Sequence, residues 1–370
     1  MPLKDRTAAK PISPSSGLTT CLLPAAFLLL TACGQDLIGV DLIDISAIGD
    51  GSGYPSASWD VVSSPEDLGW SSERLADARD YAEEMGSGAV AIIDRGVLID
   101  EWGATSANWV VQSARKSFMS ALFGIYQDEA PIDLAATMAE LGIDDSVPPS
   151  LSESEKQAAV EMLLQARSGI YHEAAAESQS MKDARPARGS HSPGTFFYYN
   201  NWDFNALGTI FTQLTGMDTF EAIEQRIADP LQMQEFAAEN GFYYYEPVSE
   251  HPAYHFSMSA RDMARFGLLY LRSGRWRDEQ IVPAAWIEQS TFPYSEANGN
   301  WDYGYLWWLA KPHTFNGHTV WQAAGGSGHT IWVVTDMQLV VVHRVDYSIW
   351  QSDWDGVHEL LRKILHAKGG

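Results

Sequence analysis

Hydrophobic and polar positions change their spacing several times along the chain, and these changes predict its elements. From residue 68 onward, apolar residues recur first at helical spacing and then in two short continuous runs that are typical of strands. A second helical pattern opens at Ser113. The predicted elements of this part are a helix over 74–84, strands over 89–93 and 97–103 with a tight turn at 94–96, and a helix that begins near Ser113.

The middle of the chain and its end differ in the same way. Residues 131–290 have mostly helical patterns that Gly and Pro interrupt, and short apolar, β-branched or aromatic runs return after residue 291. These runs predict strands over 301–309, 319–323, 330–335 and 339–345, followed by a closing helix over 355–366. Strands at both ends with helices between them predict an α+β fold, with one antiparallel sheet formed from both termini and flanked by helices. The folded domain is expected over 66–368, as an α/β part (66–130 and 291–368) that carries an inserted, mostly helical part (131–290).

The first 33 residues have the pattern of a targeting segment. Three basic residues precede an apolar run over 22–30, which is too short to span a bilayer. The run ends in Leu30-Thr31-Ala32-Cys33-Gly34, which resembles a bacterial lipoprotein signal, in which the cysteine receives lipid. This resemblance implies a protein of the bacterial cell envelope that is anchored to the membrane through Cys33 and faces the periplasm or the exterior. An ordinary secretory signal or an uncleaved anchor is the alternative.

Composition limits the remaining classes of partner. Residues 34–65 are rich in Gly, Ser and Asp, which predicts a flexible tether between the membrane and the domain. The chain has 24 basic and 48 acidic residues and a formal net charge of -24, so nucleic acid is not expected as a partner. Cys21 and Cys33 are the only cysteines, and both lie in the targeting segment. The rest of the chain can therefore form no internal disulfide.

Ser113 and Lys116 are the first candidates for chemistry. They are three residues apart and would share one face if a helix begins here. A serine hydroxyl needs an adjacent base, and a partly desolvated lysine can lose its proton and serve as that base. The N–H groups of a helix N-terminus also favour developing negative charge. The same spacing is equally typical of a serine N-cap followed by a solvated lysine, so the motif alone decides nothing.

Four further segments resemble, in order and spacing, the serine β-lactamase and penicillin-binding-protein superfamily, in particular its esterase and 6-aminohexanoate-dimer-hydrolase branch. The resemblance extends over about residues 66 to 366. It rests on the Leu-Leu-x-x-x-Ser-Gly segment at 163–169, the Pro-Gly-x-x-Phe-x-Tyr-x-Asn segment at 193–201, the helix segment at 257–267 and the glycine-rich strand at 323–329.

The resemblance implies catalytic roles for three residues. Ser113 would be the acylated nucleophile, Lys116 its base partner and Tyr199 a proton shuttle, with a phenol pKa lowered by the neighbouring ammonium. Tyr198 is adjacent, and a shift of one residue would exchange the two tyrosines. Asn201 is expected to hydrogen-bond Lys116 and a substrate amide, to cap the following helix, or to do both.

The glycine-rich strand is expected to complete the site. The N–H groups of Ser113 and Gly326 would form an oxyanion hole next to Gly325, and His329 would line the rim. True β-lactamases carry Lys-Thr-Gly where this chain has Ala323-Ala324-Gly325, which offers neither a cation nor a hydroxyl. A substrate carboxylate would lack a partner there, so neutral esters or short amides fit better than penicillins. Candidates for aromatic walls of the site, or for core positions, are Trp307, Trp308 and Trp321.

The expected function is a serine hydrolase that acts through an acyl-enzyme on small esters or amides. The alternatives are a peptidoglycan-directed D-amino peptidase, carboxypeptidase or β-lactamase, and a non-catalytic binding protein of the envelope. A Ser-His-Asp hydrolase is disfavoured because no Gly-x-Ser-x-Gly is present. No cofactor and no metal are expected: His251 and His255 are four residues apart, but Pro252 interrupts the helix and no His-Glu-x-x-His occurs.

Overall fold

The computed structural model of the chain describes residues 45–46, 48–127, 129–130 and 132–369. The predicted signal segment, its lipidation at Cys33 and the first part of the predicted tether lie outside these residues. Within them, no helix is both long enough and apolar enough to cross a membrane.

Thirteen strands and ten α-helices are defined in the described part of the chain. The strands are β1 (Ser87–Asp94), β2 (Val97–Gly103), β3 (Trp109–Val110), β4 (Gly241–Tyr244), β5 (Ala253–Met258), β6 (Arg275–Trp276), β7 (Glu279–Gln280), β8 (Ser295–Glu296), β9 (Trp301–Tyr303), β10 (Trp308–Ala310), β11 (Val320–Ala324), β12 (Thr330–Val334) and β13 (Leu339–Val345). The α-helices are α1 (Ser72–Glu84), α2 (Arg115–Tyr126), α3 (Met138–Leu141), α4 (Val160–Leu164), α5 (Gln179–Ala184), α6 (Asn201–Thr215), α7 (Thr219–Ile223), α8 (Ala260–Leu271), α9 (Ala284–Ser290) and α10 (Trp354–Ala367). Short 3-10 turns occupy Pro65–Leu68, Gln112–Ala114, Glu155–Gln157, Ala238–Asn240 and Gly326–Gly328, and a π-helical turn occupies Glu224–Ala228.

One antiparallel sheet of eight strands joins the two ends of the domain. Its strand order is β2-β1-β13-β12-β11-β10-β9-β8, so the first hairpin of the domain pairs with the last strand. The register places Ala91 opposite Val342 and Ala323 opposite Ile331. This topology confirms the predicted α+β fold.

Side chains of the sheet alternate between two cores. On β13, Val340 and Val342 point into a core that contains α2 and α8, whereas Leu339 and Val341 point into a second core with α1 and α10. Both faces of the sheet are therefore covered by helices, which explains why its strands read as continuous apolar runs rather than as alternating ones.

Two regions differ from the predicted elements. The run 301–309 is a hairpin, β9 and β10, because the N–H of Gly304 donates to the carbonyl of Trp307 at 2.9 Å and closes a turn between them. The region predicted as mostly helical also contains β4 and β5, which form a three-stranded sheet of order β3-β5-β4 with β3 from the preceding part of the chain. In that sheet β3 has only two residues, too few for any period to be read from the sequence.

The second half of the predicted tether lies against the domain. Trp59 is buried, and the buried Arg265 donates to the backbone carbonyls of Ser56 and Ala57 at 2.7 and 2.9 Å. Within 48–65 the prediction of a flexible tether is therefore wrong. A buried indole and a buried guanidinium that binds backbone carbonyls fix this segment despite its Gly- and Ser-rich composition.

Candidate active site

Ser113 lies in a strained turn that leads into α2. It is the middle residue of the 3-10 turn Gln112–Ala114, and Gln112 before it has a φ of 54°, in the left-handed region that non-glycine residues rarely adopt. The N–H of Val111 donates to the carbonyl of Phe256 at 3.0 Å, which ties the approach to this turn to β5. Strain of this kind persists only where the surrounding structure enforces it, and it is typical of functional sites.

Lys116 is buried, with 1% of its surface exposed, and this excludes a solvated lysine behind a serine cap. Its Nζ lies 3.0 Å from Ser113 Oγ, 2.7 Å from Tyr199 Oη and 2.9 Å from Asn201 Oδ1. Asn201 Nδ2 in turn donates to the carbonyl of Ala176 at 2.7 Å, which fixes the orientation of the amide. The structure thus brings a hydroxyl, an amine, a phenol and an amide oxygen within hydrogen-bonding distance.

Burial favours the neutral form of the Lys116 amine. The pKa of Lys116 is lowered well below its usual range, first because the amine has lost its water and second because Arg115 places a positive charge nearby. A neutral amine has two N–H donors and one lone pair. It can donate to Asn201 Oδ1 and to the oxygen of Tyr199 while its lone pair accepts the hydrogen of Ser113 Oγ. This is the protonation state that a base toward serine requires.

Tyr199 differs from the prediction in the direction of its pKa shift. Burial raises the pKa of Tyr199 to about 12 and outweighs the lowering effects of Ser113 and Arg115. The predicted fall in pKa assumed an ammonium next to the phenol, but burial also lowers the pKa of Lys116 and so disfavours that ammonium. The phenol therefore keeps its proton at neutral pH and can pass it on only while it receives another.

The structure settles the one-residue ambiguity at the two tyrosines. Tyr198 turns away from Ser113, and its hydroxyl donates to the carbonyl of Met181 at 2.7 Å. The N-cap of α6 is Asn200, whose side-chain oxygen accepts from a backbone N–H of the first helical turn at 3.2 Å. Asn201 is the first helical residue, so the suggestion that it caps the helix is wrong.

A buried polar cluster beneath the site was missed by sequence reasoning. Ser168 Oγ donates to Asp203 Oδ1 at 2.5 Å, and Asn200 Nδ2 donates to the same oxygen at 2.8 Å and to the carbonyl of Ile170 at 2.5 Å. Burial raises the pKa of Asp203 well above its usual range. The cluster joins the segment around Ser168 to the start of α6, which carries Asn201 and follows Tyr199. The Ser-Gly of the 163–169 segment was the only sequence signal for it.

Gly325 permits the end of β11 to approach the nucleophile turn. A Cβ at this position would lie 2.3 Å from the carbonyl oxygen of Val111 and 3.1 Å from Cβ of Gln112. Gly326 is exposed, and a Cβ there would meet nothing within 4 Å. Both glycines line the cleft in front of Ser113. Glycine at 325 is therefore a packing requirement of the site.

His329 does not line the rim of the site as predicted. It is fully buried, and its Nδ1 accepts a hydrogen bond from Nε of Arg344 at 3.1 Å. The remaining donors of Arg344 bind backbone carbonyls, including that of Trp109 at 2.7 Å, and the sulfur of Met263. Arg344 thus joins the His329 ring to β3 in the interior. Burial lowers its pKa to about 2.

A cleft of about 520 Å³ opens in front of Ser113. Its sixteen lining residues in the described chain include no Asp, Glu, Lys or Arg. Of the three tryptophans proposed as walls, Trp308 lines the cleft, Trp307 is a fully buried core residue, and Trp321 is half-buried outside it. The residues that line the cleft are Gln112, Ser113, Ala176, Ser178, Met181, Tyr199, Asn201, Asn298, Trp301, Trp308, Gln322, Ala324, Gly325, Gly326, Trp354 and His358.

The histidine pair considered for metal binding has structural partners instead. His251 contacts Thr209 Oγ1 at 3.0 Å and the carbonyl of Asp144 at 2.8 Å. The ring of His255 stacks on Phe242 at 5.6 Å. Over the described ranges, no group of three or more His, Cys, Asp or Glu side chains is arranged to hold a metal ion.

Comparison with known proteins places the fold and the family. The structure of a protein from Bacillus anthracis assigned as a 6-aminohexanoate-dimer hydrolase is similar with a TM-score of 0.63 at 18% identity, over 85% of this chain and 87% of that one. EstCE1, a hydrolase with promiscuous acyltransferase activity, gives 0.59 at 14% identity over 80% and 98%. A D-stereospecific amidohydrolase from Streptomyces sp. gives 0.55 at 19% identity over 78% and 97%.

No curated protein matches the chain in sequence. The Beta-lactamase family profile matches residues 73–346, which include every candidate catalytic residue described above. The chain therefore belongs to the Beta-lactamase family of hydrolases.

Proposed function

We propose that this protein is a serine hydrolase that forms an acyl-enzyme on Ser113 with small, uncharged esters or amides. The observation that carries the proposal is the buried Lys116 amine, which lies 3.0 Å from Ser113 Oγ and whose pKa is lowered by burial. Burying an amine without a carboxylate partner lowers the stability of the fold. Amines buried in this way are typical of functional sites, where their basicity is used. A binding protein would not need a hydroxyl, a neutral amine and a phenol in mutual contact.

Acylation would begin when Ser113 Oγ attacks the carbonyl carbon of the substrate while its proton passes to Lys116 Nζ. The carbonyl oxygen becomes negatively charged, and the N–H groups of Ser113 and Gly326 are the proposed donors to it. The bond to the leaving group then breaks. Tyr199 gives its proton to the leaving oxygen or nitrogen and receives the proton that Lys116 had taken, so both groups return to their resting states.

Deacylation would use the same groups in the reverse direction. A water molecule attacks the acyl carbon, and its proton passes through Tyr199 to the Lys116 amine. The bond between the acyl carbon and Ser113 Oγ breaks, the serine oxygen regains the proton from Lys116, and the carboxylic acid leaves. Lys116 is neutral at the start and at the end of the cycle, which agrees with the direction of its pKa shift.

The preference for uncharged substrates is supported by the composition of the cleft. No cation lines it in the part of the chain that the structure describes, and Ala323 and Ala324 replace the residues with which true β-lactamases would bind a carboxylate. An unpaired carboxylate in such a cleft would lose its hydration without compensation. Relatives of this fold act on amides or are hydrolases with acyltransferase activity, which agrees with small neutral acyl compounds.

We also propose that the protein is anchored in the bacterial cell envelope through a lipid on Cys33. The support is the apolar run and the Leu30-Thr31-Ala32-Cys33-Gly34 sequence at its end. Labelled palmitate should be incorporated by the natural chain and not by the Cys33→Ser variant. Incorporation that survives this substitution would contradict the anchor.

The catalytic proposal is tested by labelling and by turnover. A fluorophosphonate probe should add one adduct at Ser113 in the intact mass, and Ser113→Ala should abolish both the adduct and hydrolysis of p-nitrophenyl butyrate. Ser178→Ala is the matched control, because Ser178 lines the same cleft while its hydroxyl accepts from the backbone N–H of Met181 at 3.3 Å. Activity that remains in Ser113→Ala at an unchanged melting temperature would place the reaction elsewhere. Nitrocefin should be a much poorer substrate than the neutral ester, and the reverse order would favour a β-lactamase.

A further inference from the structure

Aromatic side chains from two distant parts of the chain line the cleft together. Trp308 on β10 lies with its ring centroid 5.3 Å from that of Tyr199. Farther along the cleft, the rings of Trp301 and Trp354 lie 5.2 and 5.4 Å from the imidazole of His358 on α10. All four side chains line the cleft. We call this set the aromatic subsite: Trp301, Trp308, Trp354 and His358.

The aromatic subsite is uncharged. Burial lowers the pKa of His358 to about 4, aided by the charge of Arg362 one helical turn further on, which outweighs the opposite effect of Asp355. Its Nε2 is enclosed and has no hydrogen-bond partner in the described chain, so the neutral ring contributes mainly its π face to the cleft. The subsite therefore offers π faces and neither an anion nor a cation.

We propose that the aromatic subsite binds the leaving group of the substrate, and that this leaving group is an uncharged planar ring. The inference rests on the serine hydrolase activity proposed above. The proton donor to the leaving atom in that mechanism is Tyr199, so the leaving group must depart on the side of the cleft next to its phenol. Within the subsite Trp308 packs against that phenol, Trp301 lies on the neighbouring strand β9, and Trp354 and His358 of α10 line the same cleft.

Charged leaving groups fit the subsite less well. A carboxylate would be desolvated between indole rings without a cation to pair with. An ammonium could interact with an open aromatic face. The indoles of Trp301 and Trp354 already pack against the His358 ring, at interplanar angles of 38° and 32°. The charge of Arg362 near His358 further disfavours a cation. A neutral ring that packs against the indoles has no such cost.

The test compares butyrate esters that share one acyl group. Phenyl, 4-carboxyphenyl, 4-(trimethylammonio)phenyl and trifluoroethyl butyrate would be ranked by kcat/KM, each divided by its rate of hydroxide hydrolysis. We expect the phenyl ester to exceed the other three by about tenfold or more, the range expected for a few aromatic contacts. Equal or faster turnover of the carboxyphenyl or ammoniophenyl ester would overturn the proposal.

Variants connect this preference to the subsite. Trp354→Ala should lower kcat/KM for phenyl butyrate about tenfold and leave trifluoroethyl butyrate within about twofold. Trp321→Ala is the matched control, because Trp321 is a half-buried tryptophan on β11 that does not line the cleft. His358→Leu, with the exposed His366→Leu on the same helix as its control, provides a second pair if the first variant unfolds.

A binding measurement separates this inference from the proposed activity. In a Ser113→Ala background, phenyl butyrate should bind by calorimetry, and Trp354→Ala should weaken binding about tenfold while Trp321→Ala does not. If the wild-type protein hydrolyses no ester and the fluorophosphonate probe leaves Ser113 unlabelled, the proposed activity itself fails. If esters are hydrolysed and the Trp354 and Trp321 variants behave alike, only the aromatic subsite is refuted.

Discussion

Two histidines buried in the main sheet predict that this protein loses stability in mild acid. His343 lies with Nδ1 2.8 Å from the carbonyl of Gly328 and Nε2 2.8 Å from the hydroxyl of Ser87, so the neutral ring donates at one nitrogen and accepts at the other. His329 Nδ1 accepts from the charged Arg344, and a proton on that nitrogen would break the bond. Burial lowers the pKa of His343 to about 4 and that of His329 to about 2.

The sign of the effect follows from proton linkage. In the unfolded chain both rings have a pKa of about 6.5, so between that value and about 4 the unfolded state binds protons that the folded state does not. Stability is therefore fully present above pH 6.5 and falls as the pH falls. From pH 7 to pH 5 each histidine costs about 1.9 kcal/mol, and His329 and His343 together about 3.8 kcal/mol. This is a large part of a typical unfolding free energy of about 5–15 kcal/mol.

Urea unfolding followed by tryptophan fluorescence would measure the effect at pH 7, 6 and 5. The comparison is with the double variant His329→Gln, His343→Asn, which has no titrating group at these positions. Groups with the opposite pH dependence, such as the buried Asp203 with its raised pKa, are common to both proteins and cancel in the difference. We expect the stability advantage of the wild type to shrink by about 3–4 kcal/mol between pH 7 and 5.

The control for this experiment is a second double variant, His313→Gln, His366→Gln, which removes two exposed histidines. Its pH profile should run parallel to that of the wild type. If the buried double variant also runs parallel to the wild type, the two rings are protonated as easily in the folded protein as in the unfolded chain. The assignment of buried, neutral imidazoles would then be refuted.

Three further predictions concern the site itself. Gly325→Ala should lower kcat about 10²-fold or more, because the added Cβ would lie 2.3 Å from the carbonyl oxygen of Val111, next to the nucleophile turn. The control Gly326→Ala has free space for its Cβ, so this variant should keep the fold and the melting temperature of the natural protein. Tyr199→Phe should lower kcat about 10²- to 10⁴-fold at an unchanged melting temperature, and Tyr198→Phe should have little effect; equal losses would contradict the assigned proton path. In a pH–rate profile, kcat/KM should rise as the pH passes the lowered pKa of Lys116 and should fall again only near pH 12, where Tyr199 ionises. A profile that first rises near the usual lysine pKa of 10.5 would contradict a lowered pKa for this amine.

The fold could be predicted wherever the period of apolar positions was long enough to read. The hairpin over 89–103 and the strands over 330–345 are continuous apolar runs with clear turns, and the helix over 74–84 has a regular stripe. The three-stranded sheet was missed because β3 has two residues and its partners lie 130 or more residues later. Pairing across such a distance leaves no local pattern.

The site could be predicted from motifs only as a set of neighbours. The distances from Lys116 to Ser113, Tyr199 and Asn201 agree with the neighbours inferred for it. What spacing could not predict was protonation, because it depends on burial by elements far away in sequence. Burial lowers the pKa of Lys116 and raises that of Tyr199, so both shifts have one main cause and neither follows from the pair alone.

Burial also accounts for the lack of a cation at position 323 of the glycine-rich strand. Successive side chains of β11 point to opposite faces, so Gln322 and Ala324 face the cleft while Ala323 is buried in the core that contains α2. A lysine at 323 would therefore introduce a second buried amine on the α2 side of the sheet. Like charges disfavour each other in a low dielectric, and such an amine would need an anionic partner beside it. With alanine at that position no second amine competes with Lys116, so the buried base can do without a compensating anion, which agrees with a cleft that has no charged lining residue in the described chain.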